Sequence, residues 1–543
     1  MLCVPLLIVS LDNTVLNVVL PTLVHELHAT TSELQWIVDA YVLVFGGLML
    51  VAGSLADRVG RKRTFLAGLV AFAAGSTWAA FSGSVGVLIA ARASMGVGAA
   101  LIMPSTLSII TATFTDRGER QRALGFWSGT SGAGLALGPI VGGLLLAHFW
   151  WGSVFLINVP VALIGLLCAI PLVPDSKDPE AKSMDSVGSL LSITGVGLLL
   201  WAIIEAPVHG WSSALVVGAG LGGLAVLAGF IVWERSTSHP MLNLHYFASR
   251  RFSAAIVCNG LLAFGLYGAL FVLTQFLQFQ LGYTPLQAGL RVLPAAGAIA
   301  LAAPLSTPLV RRFGTKLTVT AGLLVTAGGL WQIAGASLAT TYTETVAGMV
   351  MLGVGAGLVI PSSTGSVMGS LPSAHTGVGS ATNGSFLQVS GALGVAVIGS
   401  LLSTRYQHRI TQALAAHHVP QAVETTILGS LGSALGVARQ IGGAVGQILA
   451  GIARSAFISG MDLGLRTAAC VAFAGALVAL LALPSRPAPE EGDGAPTPPG
   501  ARPAVPELHR RSRLQRSEPL LKRSARLVRR DRRRAARGRS ESG

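Results

Sequence analysis

From residue 2 to residue 484, apolar runs alternate with short polar clusters at intervals that suit a bilayer. A helix crossing about 30 Å of hydrocarbon at about 1.5 Å per residue needs about 20 mostly apolar residues. Cutting the chain at its polar clusters gives fourteen such runs, at 2 to 24, 35 to 54, 64 to 84, 86 to 112, 122 to 147, 152 to 173, 187 to 206, 213 to 233, 252 to 280, 286 to 310, 317 to 336, 344 to 370, 378 to 402 and 463 to 484. The pattern predicts an all-α polytopic membrane protein. Composition agrees, with 52% hydrophobic and 11% charged residues, 67 glycines and a mean hydropathy of +0.65. Soluble globular chains carry about 25% charged residues, so a soluble enzyme is excluded.

The charge map orients the spans. Arg58, Arg61, Lys62 and Arg63 share one predicted side with Arg117, Arg120 and Arg122, with Lys177 and Lys182, with Arg250 and Arg251, and with Arg311, Arg312 and Lys316. By the positive-inside rule these loops and both termini are cytoplasmic. Residues 485–543 hold 16 Arg plus Lys against 7 Asp plus Glu, so much of the formal +15 belongs to the tail and does not argue for nucleic acid. Its Pro/Glu/Gly opening, Pro484 to Pro506, reads as a disordered linker. The basic stretch from Arg510 to Arg539 reads either as an anionic-lipid contact or as a solvated extension, and ending the chain near Arg486 is expected to leave insertion and transport largely intact. The first run lacks a basic lead and a small-residue cleavage site, so it reads as a retained span, with a longer natural N-terminus left open. Cys3, Cys168, Cys258 and Cys470 lie inside apolar runs without metal-ligand spacing. The polar region 403–462 reads as an external loop with an amphipathic hairpin, helical over Ala422 to Leu431 and Gly443 to Phe457.

An internal repeat organises the chain. At an offset of 254, the segment from Gly53 to Thr64 aligns with Thr307 to Thr318, so that Arg58, Gly60, Lys62 and Thr64 meet Arg312, Gly314, Lys316 and Thr318. Farther on, Gly96, Gly98, Pro104 and Ser105 match Gly353, Gly355, Pro361 and Ser362. Two related six-helix bundles follow, at 1–175 and 250–484, with two inserted helices at 187–235 between them. Parallel repeats around a midplane site are a transporter architecture. The repeat is also a control, because packing features should recur while chemistry can sit in one half. Asp12, Asp39, Arg92 and Pro139 map to Leu266, Leu293, Met349 and Val395.

Asp12 lies about 15 Å into the first run, where an uncompensated carboxylate costs about 2.5 to 3.5 kcal/mol. It reads as a proton or cation site facing a wet cavity, against a neutral acid bonded to Asn13, Thr14 or Asn17. Arg92 cannot be deprotonated, so it reads as a fixed partner of a carboxylate or anion, against snorkelling to the headgroups. Asp39 reads as cavity-lining or interfacial, and Glu205 as interfacial. Gly134, Gly138 and Gly142 form a bare helical ridge beside Pro139 and Gly143, a kinked seam where bundles meet and slide. His25, Glu26 and His28 lack metalloprotease spacing and read as external loop. Gly129, Ser131 and Gly132 look like an intramembrane serine motif, yet no histidine lies inside a span to activate the hydroxyl. Neither an enzyme nor a metal or cofactor site is expected.

These residues make the chain similar to the fourteen-helix drug:proton antiporter family of the major facilitator superfamily, over roughly residues 1 to 484. The loop with Gly53, Asp57, Arg58, Gly60 and Arg61 resembles the superfamily signature between its second and third helices. Leu11 to Pro21 resembles the first-helix motif, whose Asp is assigned to proton coupling. Arg92 matches the fourth-helix arginine associated with proton transfer, and the run from Gly134 to Gly143 resembles the motif that separates exporters from symporters. Trp36, Asp39 and Tyr41 resemble a segment of members that export organic cations. The resemblance implies a major facilitator fold of two six-helix bundles plus two inserted helices, fourteen transmembrane helices in all. It implies a proton-coupled exporter of a lipophilic or cationic drug-like compound in the cell membrane. Asp12 and Arg92 would couple the proton, and Asn17, Trp36 and Asp39 would line the substrate cavity. Partners would be proton, lipid and a small-molecule substrate, without nucleic acid, in a monomer. No carboxylate lies in the interior of predicted spans nine to thirteen, where dication exporters of this family carry extra acids. A symporter importing a small solute and a non-transporting receptor remain as alternatives.

Overall fold

The structure is a computed structural model of the full chain. It describes residues 2–114, 116–177, 185–371, 376–415 and 419–484. Lys182, His417 and the basic tail fall outside the described residues.

The described elements are helical throughout. In order they are α1 (Cys3–Glu26), α2 (Thr31–Val59), α3 (Arg61–Ala80), α4 (Val85–Thr113), α5 (Arg117–His148), the short α6 (Ser153–Leu156), α7 (Asn158–Leu172), α8 (Ser186–His209), α9 (Ala214–Ser236), α10 (Arg250–Gln275), α11 (Pro285–Ala334), α12 (Tyr342–Met368), α13 (Thr376–Leu414), α14 (Gln421–Gly429), α15 (Leu431–Ile441) and α16 (Gly443–Ala482). One π-helical turn, Phe276–Gln280, ends α10. Eleven of these helical stretches are long and apolar enough to cross a membrane, with α6 and α7 running as one; the bent α5 makes a twelfth. Local chemistry sets the boundaries. Thr30 and Glu33 form a capping box that starts α2, Ser84 caps α4, and Thr284 and Gln287 start α11.

The repeat shows in backbone geometry. Gly60 ends α2 at φ 119°, and Gly314 breaks α11 at φ 84°. Both values lie in the region open to glycine and strained for other residues. The hydroxyl of Thr64 donates to the Gly60 carbonyl at 3.0 Å, and that of Thr318 to the Gly314 carbonyl at 2.9 Å. The expected loop at 311–316 is thus a single-residue kink. The ionic part is not repeated: Arg61 pairs with Asp57 at 2.9 Å, whereas Arg311 and Thr315 stand at the matching positions.

Of the expected hairpin, Ala422 to Leu431 corresponds to α14, and α15 follows it over residues for which no helix is expected. Gly443 to Phe457, expected in that hairpin, instead begins α16, which runs as one helix to Ala482. The hairpin sits on the bundle: Thr31 Oγ1 donates to the Gly429 carbonyl, and the Tyr406 hydroxyl bonds to the carbonyls of Ile427 and Ser430.

Among the described residues, two seams are prominent where the halves meet. Along α2 and α13, Gln35 Nε2 donates to the carbonyls of Val395 and Ala396, and α8 lies over both helices. Ser32 donates to Ile204 O of α8, and Ser400 of α13 donates to Ile203 O. The other seam, α5 against α11, is a bare backbone contact. A Cβ on Gly143 would stand 2.6 Å from Leu286 Cα, and one on Gly289 would overlap the Pro139 carbonyl. Gly132, Gly129 and Gly125 continue the Gly143 face toward the Arg58 to Arg63 end, and nothing lies within 4 Å of where their Cβ atoms would be. Phe126 and, on α11, Leu301 are each 75% exposed.

Candidate functional site

The site is built from the middle of α1 outward. Asp12 is wholly buried. Ser84 fixes the start of α4, which places Arg92 two turns in and turns its side chain toward α1. Arg92 Nη1 donates to Asp12 Oδ2 at 2.5 Å, and its Nε donates to the Ile37 carbonyl of α2 at 3.1 Å. The guanidinium carbon lies 4.3 Å from the Tyr41 ring centroid and 5.9 Å from that of Phe155. Asn158, at the start of α7, donates from Nδ2 to Asp12 Oδ1 and to Ser76 Oγ of α3, both at 3.3 Å. Arg92 is 1% exposed, so it does not snorkel.

Taking two charges out of water costs several kcal/mol each, and their attraction offsets this only when the remaining hydrogen-bonding groups are satisfied. Here the carboxylate receives an ionic and a neutral donor, while the cation has a carbonyl and an aromatic face besides its carboxylate.

The other expected residues lie around this pair without joining it. Asp39 is wholly buried on α2, and neither carboxylate oxygen has a hydrogen-bond partner among the described residues. Asn17 is buried, and its Nδ2 reaches its own helix at Asn13 O, 3.5 Å away. The Trp36 indole donates to Glu205 Oε1 at 3.0 Å, so it is turned to α8, and Glu205 has a partner in the bundle. The glycine ridge does two tasks on two faces. Gly134, Gly138 and Gly142 pack on α1, with would-be Cβ atoms 2.8 Å from Leu7 O, 2.9 Å from Leu11 O and 3.2 Å from Val15 O. Pro139 and Gly143 meet α11. The ridge thus holds the helix that carries Asp12, and its edge makes the seam. Gly53 faces Pro104 of α4 at the basic end, and Arg58 beside it is exposed.

Sequence reasoning passed over Ser76, Tyr41 and Asn158 as parts of this site. Asn158 carried a usable signal, an amide inside the apolar run Phe155-Leu-Ile-Asn158-Val-Pro. It also missed Asp185 and Glu234, buried at the ends of α8 and α9, where Trp233 Nε1 donates to Asp185 at 2.9 Å and Leu242 N to Glu234 at 3.0 Å. Among the described residues no group of three His, Cys, Asp or Glu side chains could hold a metal ion.

Repeated helical bundles around an intramembrane ion pair define a polytopic membrane protein of the transporter class. The Major Facilitator Superfamily model matches residues 2–395, and the chain belongs to that superfamily. It is 34% identical over 497 residues to the tetracenomycin C resistance and export protein of Streptomyces glaucescens, covering 90% of this chain and 92% of that one. It is 36% identical over 462 residues to the multidrug efflux pump LfrA of Mycolicibacterium smegmatis, covering 85% and 90%. Among solved structures, a bacterial homologue of the human lysosomal transporter Spinster, inward-facing and occupied, superposes with a TM-score of 0.61 at 16% identity, covering 89% of this chain and 96% of that one. At that identity the likeness bears on the fold alone.

Proposed function

We propose that the chain is a proton-coupled secondary active exporter that moves a lipophilic or cationic drug-like compound out of the cell by alternating access. The observation that carries this reading is the buried ion pair of Asp12 and Arg92, present in one half of a repeated fold. A purely structural polar contact would be expected to recur in the second half, as the glycine contacts do. The relatives named for efflux of an antibiotic and of multiple drugs favour export as the direction. In the cycle, Asp12 takes up and releases the proton while Arg92 holds it in place. The α5–α11 seam from Gly134 to Gly143 and the loop from Gly53 to Arg61 work as gates. Asp39, Asn17 and Trp36 lie along the substrate path, and Asp39, buried without a partner, is the group a cationic substrate would neutralise.

The fourteen-span topology is part of the proposal. It follows if α5 spans, if α3 spans despite its Arg-Lys-Arg start, and if Gly314 divides α11 into two spans. Both termini would then be cytoplasmic in the cell membrane. Cysteines replacing Arg61 and Arg312 should react with impermeant reagents from the cytoplasmic side only, and one replacing His417 from outside only.

The decisive experiment is transport of a compound panel, ethidium included, into everted vesicles with and without an imposed pH gradient. Accumulation that needs the gradient and vanishes in Asp12→Asn supports the reading. Gradient-driven movement in the opposite direction makes the chain a symporter, and saturable binding without flux makes it a receptor.

A further inference from the structure

Asn158 holds one atom the ion pair does not explain. Its Nδ2 spends both hydrogens, on Asp12 Oδ1 and on Ser76 Oγ, each at 3.3 Å. Its Oδ1 is buried without a partner, in a residue with no exposed surface. Buried polar atoms in native proteins are nearly always bonded, so an orphaned one needs a reason. An ionised Asp12 closed on Arg92 would have no proton to offer this acceptor. A half-turn about the Asn158 side-chain amide exchanges Oδ1 and Nδ2. It would set Oδ1 against a protonated Asp12, where the acid O–H and the Ser76 hydroxyl both can donate to it, and would leave Nδ2 idle instead. Each orientation leaves one amide group unmatched, so neither is favoured by the amide itself. The protonation of Asp12 decides between them.

We propose that Asn158, seated on Ser76, is the positioning residue of the proton-coupling site, donating to the Asp12 carboxylate in one state and accepting from the Asp12 acid in the other. The inference rests on the reading of Asp12 as the proton carrier and assigns the group that makes both of its forms tolerable in a water-free place. The groups facing Asp12 come from four helices. Arg92 of α4 is its charged partner, Tyr41 of α2 covers that partner, and Ser76 of α3 and Asn158 of α7 are neutral. On the remaining side α5 offers the Gly134 and Gly138 backbone to α1. No other charged side chain among the described residues is bonded to Asp12. Arg92 does not have to leave when the proton arrives, since Ile37 O and the Tyr41 ring continue to hold it.

The test reads the carboxyl group directly and needs no transported substrate. Full-length protein is reconstituted in vesicles of phosphatidylethanolamine and phosphatidylglycerol, and its protonated carboxyl C=O band is followed by infrared difference spectroscopy against pH. The band lost in Asp12→Asn is that of Asp12. In Asn158→Leu, similar in size but without donor or acceptor, the midpoint of that band should move up by about one pH unit. A donor to the ionised form is worth about twice a bond to the neutral form, so its loss dominates. The band should also shift to higher frequency, because the acid has lost its acceptor. Asn158→Ser, which can still donate and accept, should lie between, and Ser76→Ala should move the midpoint in the same direction by less. An unchanged midpoint and frequency in Asn158→Leu, in folded protein, overturns the proposal, as does a shift in Asn158→Ser as large as that in Asn158→Leu. If no band disappears in Asp12→Asn, Asp12 itself does not take the proton, and that reading falls together with the role of Asn158.

Discussion

The two halves of the molecule pack alike and differ in charge. In α4, Gly96 lets the helix reach α2, where a Cβ would stand 2.7 Å from Tyr41 O, and Gly98 lets it reach α3, with Phe72 N at 2.6 Å. In α12, Gly353 brings the helix against Ala298 of the first limb of α11 at 2.9 Å, and Gly355 against Gly322 O of the second limb at 2.5 Å. The same two glycines, two residues apart, make the same two approaches. Where the first half then places Asp12 and Arg92, the second places Leu266 and the buried Met349. The buried polar groups of the second half include a neutral set in which Asn259 donates to Asn383 at 3.0 Å and to Thr364 at 3.3 Å. Close backbone contact is thus the shared scaffold, and the ion pair is an addition that the scaffold does not need. A buried ion pair is weak evidence for stability; its retention in one half points to a task.

Four experiments press on that contrast. The largest effect is expected from transplanting the second half's residues into the first. Asp12→Leu alone strands Arg92 in the core and should lower stability by about 3–5 kcal/mol. Asp12→Leu combined with Arg92→Met should recover most of that loss in thermal unfolding while gradient-driven transport stays absent. A double variant no more stable than the single one would mean that the pair is structural. Next come the shared glycines. Gly98→Ala and Gly355→Ala each push a methyl into a neighbouring helix and should each cost about 1–3 kcal/mol. Comparable losses confirm equivalent packing, and a loss in one half alone breaks the comparison. Third, Arg92→Lys keeps the charge but cannot hold Asp12, Ile37 O and the Tyr41 ring together. It should reduce the initial rate of gradient-driven transport several-fold at unchanged abundance. The smallest effect on coupling is expected from Asn259→Leu, which disturbs the neutral cluster at a cost of about 1–2 kcal/mol. It should leave the pH dependence of transport unchanged; a shifted pH profile would place coupling chemistry in both halves.

Much of this was legible in the residues. An all-helical membrane fold with many apolar helices followed from hydropathy because a bilayer accepts few structures other than apolar helices. Gly60 and Gly314 could be paired from the repeat, and both adopt the positive φ that glycine tolerates. The kink at Gly314 in place of a loop, and α16 starting at Gly443, were hidden because helix propensity continues smoothly through basic or small residues when packing supports it. Within the site, Asp12 and Arg92 stood out as charges in apolar runs. Their mutual contact did not, since 80 residues separate them and periodicity says nothing of which faces meet across helices.

The sequence by itself determined that this chain lives in a membrane, that its bundles repeat, and that Asp12, Asp39 and Arg92 meet apolar residues at the matching positions of the second half, since these are properties of composition and order along the chain. The tertiary structure decided which of those charges meet. It paired Arg92 with Asp12 and left Asp39 without a partner, turned Trp36 to Glu205, and set the glycine ridge against α1 and its edge against α11. The physical reason is that a buried charge is stabilised by whatever lies within a few ångströms in space, and helices far apart in sequence supply those neighbours.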